Sequence, residues 1–364
     1  MSSLLTEHFG LDPFSPPSGK AFIIYHRADF DGKASRAIVE HWLNARFAEL
    51  NRSISIECIG ADYGDDHSAI LRRVAPDSLV FMVDFSLLNT ESDESPAAPT
   101  HNLALRSHCL VWIDHHASAI KAAETVEWGL NVVRVFNTTR AACELAWDFL
   151  HPNELMPEII RLIGRYDVWD HTDPRTLAVQ AGIRYTFSEI GLEVKDKRGR
   201  EVREKELWTF ILDSATAPSY PPLFTEWFIG VMEKGRTLEK NMLFEARSSV
   251  PSMIRFYVDT TDLPAHAVNL PYTKLRVAAL NDQRFTSRMF TAEVEQNELK
   301  YDLLIIFAIR VTNSGLRWKL GFYSENPNID CSAIAESLGG GGHRSAAGAH
   351  VPVLPGWLDV LPYL

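Results

Sequence analysis

Asp114, His115 and His116 stand in a row, and each of these side chains can bind a metal ion. They follow directly on the apolar run Leu110-Val111-Trp112-Ile113. A run so short, cut off by polar groups, predicts a buried strand of a parallel sheet. Ligands of open α/β sheets gather at the carboxyl ends of such strands. Two earlier runs finish the same way. Residues 21–25 (A-F-I-I-Y) deliver His26, with Asp29 and Asp31 close behind and Gly32 to let the backbone turn closely around a ligand, and residues 78–83 (S-L-V-F-M-V) deliver Asp84. A lone DHH also fits a turn with two surface histidines, and a lone Asp84 also fits a helix cap. Three such endings on one edge of one parallel sheet are better explained by a shared metal site. Imidazole and carboxylate together suit Mn²⁺, Fe²⁺, Co²⁺ or Zn²⁺, whereas an all-oxygen set favours Mg²⁺.

The elements that must carry these residues alternate along the chain. A helix is expected over 33–50, a second strand over 53–59 and an acidic loop over 60–66. Residues 90–100, rich in Ser, Pro and Glu, read as a solvated loop. A fifth strand is expected over 132–136. A helix over 141–150 follows, with Thr138 or Thr139 as its cap, and another over 157–166 with Pro157 near its start. That helix runs into Arg165-Tyr166-Asp167-Val168-Trp169-Asp170-His171, which places a further carboxylate, Asp167, at an element end. Strand and helix in alternation predict an α/β protein with an N-terminal, doubly wound, mainly parallel sheet.

The second half differs. Residues 193–206 are densely charged, and helical connecting segments are expected to about residue 249. Residues 301–310 and 318–323 flank Val311-Thr312-Asn313-Ser314-Gly315, a hairpin turn signal. Asp330 or Ser332 can cap a short helix through Leu338. Four glycines, Gly339 to Gly342, then precede His343-Arg344-Ser345-Ala346-Ala347-Gly348. Unobstructed backbone N–H groups, a nearby helix start and the donors of His343 and Arg344 suit a phosphate. The expected division is a tail over 1–20, a metal-binding domain over 21–190, a helical connector over 191–250 and a smaller α/β domain over 251–364.

Composition bounds the function. The chain has 364 residues, 46% of them hydrophobic, enough for two cored domains. Lys plus Arg number 36 against 47 Asp plus Glu, a net charge of −11. That balance argues against a long nucleic-acid track, which needs a basic surface, but not against a short anion held by metals. Cys58, Cys109, Cys143 and Cys331 show no C-x-x-C spacing and read as buried thiols. No secretory leader or membrane-length apolar run is evident, so a cytoplasmic protein without a membrane partner is expected.

The motifs, taken in order, resemble the DHH/DHHA1 phosphoesterase family. The matching stretches are His26-x-x-Asp29-x-Asp31-Gly32, Val83-Asp84-Phe85-Ser86, Asp114-His115-His116, Arg165-Tyr166-Asp167 and Gly340-Gly341-Gly342-His343-Arg344-Ser345-Ala346-Ala347-Gly348. The resemblance implies a DHH domain holding two divalent cations, usually Mn²⁺ with Mg²⁺ or Co²⁺ as substitutes, and a DHHA1 domain that binds substrate across a cleft. It implies His26 and Asp29 as ligands of one ion, Asp31, His115 and Asp167 as ligands of the other, and Asp84 as the bridge. His116, Asp84 and Asp31 would be the catalytic set. Gly340, Gly341, Gly342, His343 and Arg344 would bind substrate. Many relatives set the first histidine one residue further from the aspartate pair than His26 stands here. The implied activity is hydrolysis of short oligonucleotides or of linear or cyclic dinucleotides to mononucleotides, and a homodimer is compatible with it. A phosphomonoesterase acting on bisphosphorylated nucleotides, a single-strand exonuclease and a nucleotide-binding sensor are the competing expectations.

Overall fold

The structure, a computed structural model, describes residues 12–62, 65–88, 95–194, 196–217, 220–284, 286–296, 300–312 and 315–358. The chain divides into two compact units, Met1–Arg236 and Thr237–Leu364.

In the first unit the short apolar runs pair side by side. Strands β1 (Lys20–His26), β2 (Ser55–Ala61), β3 (Leu79–Val83), β4 (Cys109–Asp114) and β5 (Val132–Phe136) form one sheet in the order β2-β1-β3-β4-β5. Every neighbouring pair is parallel. Both faces are covered, which is why β3 and β4 read as unbroken hydrophobic runs rather than alternating ones. One face, with Ile23, Phe81, Val83, Val111 and Ile113, packs against α1 (Phe30–Glu49), α5 (Ala142–Leu150) and α6 (Glu158–Asp167). The other face, with Phe22, Ile24, Val80, Met82 and Trp112, packs against α2 (His67–Arg73), α3 (Ala98–Arg106) and α4 (Ala117–Ala123). The doubly wound α/β expectation holds, and each of the five strands lies within two residues of its expected place.

Because β2 and β3 flank β1 on opposite sides, the winding reverses at β1. The carboxyl ends of β1 and β3 therefore open a crevice, the usual ligand place in such sheets. The later helices α7 (Arg175–Glu193), α8 (Lys197–Ala215) and α9 (Pro222–Ser249) account for the charged stretch and the helical connector. Trp208, Ile211, Leu212, Phe224 and Val231 from them are buried in the core on the α1 face, so these helices add to the first unit's core.

The second unit holds a six-stranded mixed sheet in the order β10-β11-β9-β8-β7-β6. Its strands are β6 (Ile254–Asp259), β7 (Lys274–Asn281), β8 (Leu303–Thr312), β9 (Gly315–Tyr323), β10 (Gly341–Gly342) and β11 (Ala346–Val351). Strands β7 and β8 are parallel and the other pairs antiparallel. Helix α10 is Thr291–Gln296, and α11 (Cys331–Glu336) starts at Asp330, whose carboxylate caps it by accepting the Ala333 N–H. The β8–β9 hairpin is as expected, although Asn313 and Ser314 of its turn lie outside the described residues. So do Tyr63 and Gly64 of the acidic loop, residues 90–94 of the solvated loop with residue 89 before it, and 1–11 of the tail.

Candidate metal centre

The ends of β1, β3 and β4 contribute to one cluster. His26 closes β1, Asp29 caps α1, Asp31 sits in its first turn, Asp84 follows β3, and His115 and His116 follow β4. Asp167 ends α6. His26 Nδ1 lies 2.6 Å from Asp29 Oδ2 and 3.6 Å from Asp84 Oδ2. His115 Nε2 lies 3.4 Å from Asp31 Oδ2, 3.1 Å from Asp84 Oδ1 and 3.3 Å from Asp167 Oδ2. The shifted spacing of His26 thus still brings it to the cluster.

The decisive feature is Asp84. One of its oxygens faces His115 and the other faces His26, so a single carboxylate joins two groups of donors. His26, Asp29 and Asp84 offer ligand atoms within 4.8 Å of one another, as do Asp31, Asp84 and His115. The structure thus brings together residues that the sequence motifs singled out.

The electrostatics ask for positive charge at this place. Burial and the nearby Asp31 and Asp29 carboxylates push the Asp84 carboxyl well above its usual range. Burial and Asp31 do the same to Asp167. Burial also acts to raise Asp29, but the His26 imidazole and the Gly32 N–H hold it at about 2. Burial opposes charging His26, yet Asp29, Asp62 and Asp84 draw it upward. Asp84 Oδ2 is buried and, among the described residues, accepts no hydrogen bond. Four carboxylates and two imidazoles packed this closely, with one acceptor left over, fit a pair of divalent cations, whose charge would offset the mutual repulsion.

Several supports were not visible in the sequence. Asp114 Oδ1 accepts the backbone N–H of His115 at 2.7 Å, that of His116 at 3.0 Å and the His116 ring Nδ1 at 2.8 Å. Its Oδ2 accepts the Ser86 hydroxyl, and Ser86 Oγ accepts the Trp112 indole N–H at 3.1 Å. Asp114 is thus filled by acceptor duties and orients its neighbours. Burial works against it, but His116 and His115 keep its carboxyl far below the carboxylate range. Its bond to Nδ1 fixes the orientation of the His116 ring. Asp62, at the end of β2, reaches to 3.7 Å from His26 Nε2. The acidic loop that carries it was legible, and its partner was not.

Three local expectations change. Neither Thr138 nor Thr139 caps α5; its cap position is Ala141, which has no acceptor. Asp31 serves instead from 111 and 112 positions earlier in the chain. Its oxygens accept the N–H groups of Ala142 at 2.8 Å and Cys143 at 2.7 Å. A free helix start draws in a carboxylate wherever the fold supplies one. Gly32 does not make room for a ligand. A Cβ there would stand 2.0 Å from the His26 carbonyl oxygen, so the missing side chain lets α1 press onto the end of β1. In the second unit the glycine run stands at a helix end, not at a helix start. Residues 339–342 follow the carboxyl end of α11, where Gly339 and Gly340 N–H groups bond to Glu336 and Ala335 carbonyls. Gly341 and Gly342 pair with Gly348 and Ala347. The His343 N–H bonds to Ala346 O at 2.8 Å, and Arg344 bonds to Asp330 Oδ2 at 3.2 Å and Pro327 O at 2.8 Å.

No protein-family model and no curated protein matches the chain. Among solved structures it is similar to a pGpG-specific phosphodiesterase, PggH, from Vibrio cholerae. Identity is 11%, covering 91% of this chain and 93% of that one, with a TM-score of 0.40. An exopolyphosphatase-related protein from Bacteroides fragilis shares 12% identity over 99% of this chain and 95% of that one, at a TM-score of 0.45. RecJ in complex with Mn²⁺ from Thermus thermophilus shares 15% over 95% of this chain and 52% of that one, at 0.46. At such scores these likenesses stay outside the assignment of the site, which rests on its own residues. Among the described residues no helix is long and apolar enough to cross a membrane.

Proposed function

We propose that the chain is a DHH/DHHA1-type, two-metal phosphoesterase that hydrolyses short oligonucleotides or linear or cyclic dinucleotides to nucleoside monophosphates. The observation that carries this reading is Asp84, set with one oxygen toward each donor group. His26 and Asp29 would hold one divalent cation, Asp31, His115 and Asp167 the other, and Asp84 both. When bound, such a pair lowers the pKa of a water and neutralises charge on the phosphoryl oxygens. Mn²⁺ suits the mixed donor set, and Mg²⁺ or Co²⁺ are its substitutes.

The protein's own groups supply the rest. His116, fixed through Nδ1 by Asp114, presents Nε2 to the scissile phosphate or the leaving oxygen. Asp31, bonded to the α5 backbone, cannot swing away from its place. In the second unit Gly340, Gly341, Gly342, His343 and Arg344 would hold a further phosphate of the substrate. Arg344 offers a charged fork, stronger toward phosphate than a neutral donor.

The test is turnover by purified protein on a panel of short RNA, short DNA, cyclic dinucleotides and bisphosphorylated nucleotides. Mononucleotide release with Mn²⁺, lost on stripping with EDTA and regained on re-addition, is the expected result. Full turnover after metal removal would overturn the two-metal reading. Release of inorganic phosphate from bisphosphorylated nucleotides alone would make the enzyme a phosphomonoesterase.

A further inference from the structure

A hollow of about 370 Å³ opens between the starts of α6 and α9 in the first unit. It is lined by Pro157 and Ile159 from one helix start and by Tyr220, Phe224, Phe228 and Ile229 from the other. Phe224 and Phe228 stand one turn apart on α9, and their rings stack at 6.0 Å. Phe224 is buried in the core, whereas Tyr220 is 49% and Ile229 47% exposed. Polar side chains at the hollow are already engaged. The Thr225 hydroxyl donates to Pro221 O at 3.3 Å, and the Glu158 carboxylate lies 2.6 Å from both Arg161 and Arg175. A small-molecule site holds its ligand with a few convergent polar groups. Apolar walls of this kind suit an aliphatic side chain better.

Such a side chain stands beside the hollow. Leu155, two residues before Pro157, is 94% exposed. One exposed leucine is ordinary. This one, however, is held out by a braced turn. The His151 N–H bonds to Trp147 O at 2.7 Å, and the Glu154 N–H bonds to His151 O at 3.0 Å. His151 Nδ1 and Glu154 Oε1 lie 3.0 Å apart, and the His151 ring stacks on Trp147 at 4.3 Å. Pro152 and Pro157 stiffen the backbone on either side. A side chain presented on a turn this rigid loses little freedom when it is bound.

We propose that this face is the interface of a two-fold homodimer, in which Leu155 of each copy enters the hollow of the other. A two-fold interface needs one patch that carries both halves of a contact. Here the projecting leucine and the hollow's edge lie two residues apart in the chain. The charges agree with the pairing. Glu154 precedes the leucine, and Arg161 and Arg175 hold Glu158 at the hollow. Each contact therefore brings a carboxylate of one copy toward two guanidiniums of the other. The interface lies apart from the metal centre, because α6 runs between them. Pro157 precedes its first residue and Asp167 is its last, about 15 Å along the helix.

The test is sedimentation of wild type, Leu155→Asp and Ile229→Lys. Wild type should be a dimer at micromolar concentration, with a melting temperature that rises with concentration. Leu155→Asp removes both projecting leucines, and Ile229→Lys blocks both hollows. Each should raise the dimer Kd about 1000-fold, roughly 30-fold for each of two anchors, and so be monomeric alone. Mixed, one variant supplies an intact hollow and the other an intact leucine, while the introduced acid and base meet at the second contact. A mixed dimer should therefore return where neither variant pairs with itself. Leu155 is so exposed that its replacement does not threaten the fold, and that variant alone keeps the test decisive. A monomeric wild type would overturn the interface and leave the hollow to a side chain of another protein. A dimer that survives Leu155→Asp, or folded variants that stay apart when mixed, would overturn it too.

Discussion

At the scale of single residues, Asp84 combines a structural cost with a chemical use. It is buried among carboxylates, its own backbone lies at φ = +52°, and one of its oxygens accepts no hydrogen bond among the described residues. Without metal, Asp84→Asn removes a repelling charge and should melt no lower than wild type. With metal the order should reverse. At a concentration a hundredfold above Kd, wild type should gain about 2.7 kcal/mol per site, and the variant should gain little. Calorimetry with and without Mn²⁺ reads both, and kcat/KM should fall by at least about a hundredfold. A second prediction concerns Ser86. Ser86→Ala leaves the Trp112 N–H and an Asp114 oxygen unsatisfied in a dry interior, which should cost about 1–3 kcal/mol of stability. Through Asp114 it should also loosen His116, lowering kcat about tenfold with metal content unchanged, as metal analysis and the split between kcat and KM would show. His26, Asp84 and His115 could be read from the sequence because each stands at the end of an apolar run. Ser86 and Asp114 meet across 28 positions, and such a pairing leaves no periodic trace.

At the scale of elements, the strands were legible because burial on both faces writes itself as continuous Val, Ile, Leu and Phe. Helix starts were less so. The residues near Ala141 suggested threonine caps, whereas the acceptor came from Asp31 on another helix. Local capping rules see only neighbours in the chain, and a tertiary partner overrides them. Trp169, at φ = +63°, carried no signal either, since positive φ is ordinarily announced by glycine. The join between β1 and α1 gives a third prediction. A methyl group on Gly32 would meet the His26 carbonyl at 2.0 Å, and backbone on both sides leaves nothing soft to yield. Gly32→Ala should therefore destabilise the first unit by at least about 2 kcal/mol and displace His26. Denaturant titration and the loss of bound metal would report the two effects.

At the scale of the whole molecule, 47 acidic residues against 36 basic ones leave a field that repels a long polyanion. A short substrate meets mostly local groups. Raising ionic strength screens the field over about 10 Å at 0.1 M salt and less above it. The ratio of kcat/KM on a ten-nucleotide strand to that on a dinucleotide should therefore rise with salt, opposite to the behaviour of a basic nucleic-acid binder. A falling ratio would place a cationic track on the surface. Overall charge was readable from composition. The gathering of carboxylates at strand ends was readable too, but the order that sets β1 beside β3 was not.

The bond from Asp31 to Ala142 and Cys143 has a consequence for biosynthesis. As the chain leaves the ribosome, the first histidine and aspartates appear early, but Asp31 meets its helix only after more than a hundred further residues have been made. Asp167 follows later still. A nascent chain stopped before residue 142 would carry five of the six proposed ligands but not the helix start that holds Asp31. Ion loading is then an event of the finished first unit, and arrested nascent chains of increasing length should acquire tight Mn²⁺ binding in one step, once the end of α6 has cleared the exit tunnel.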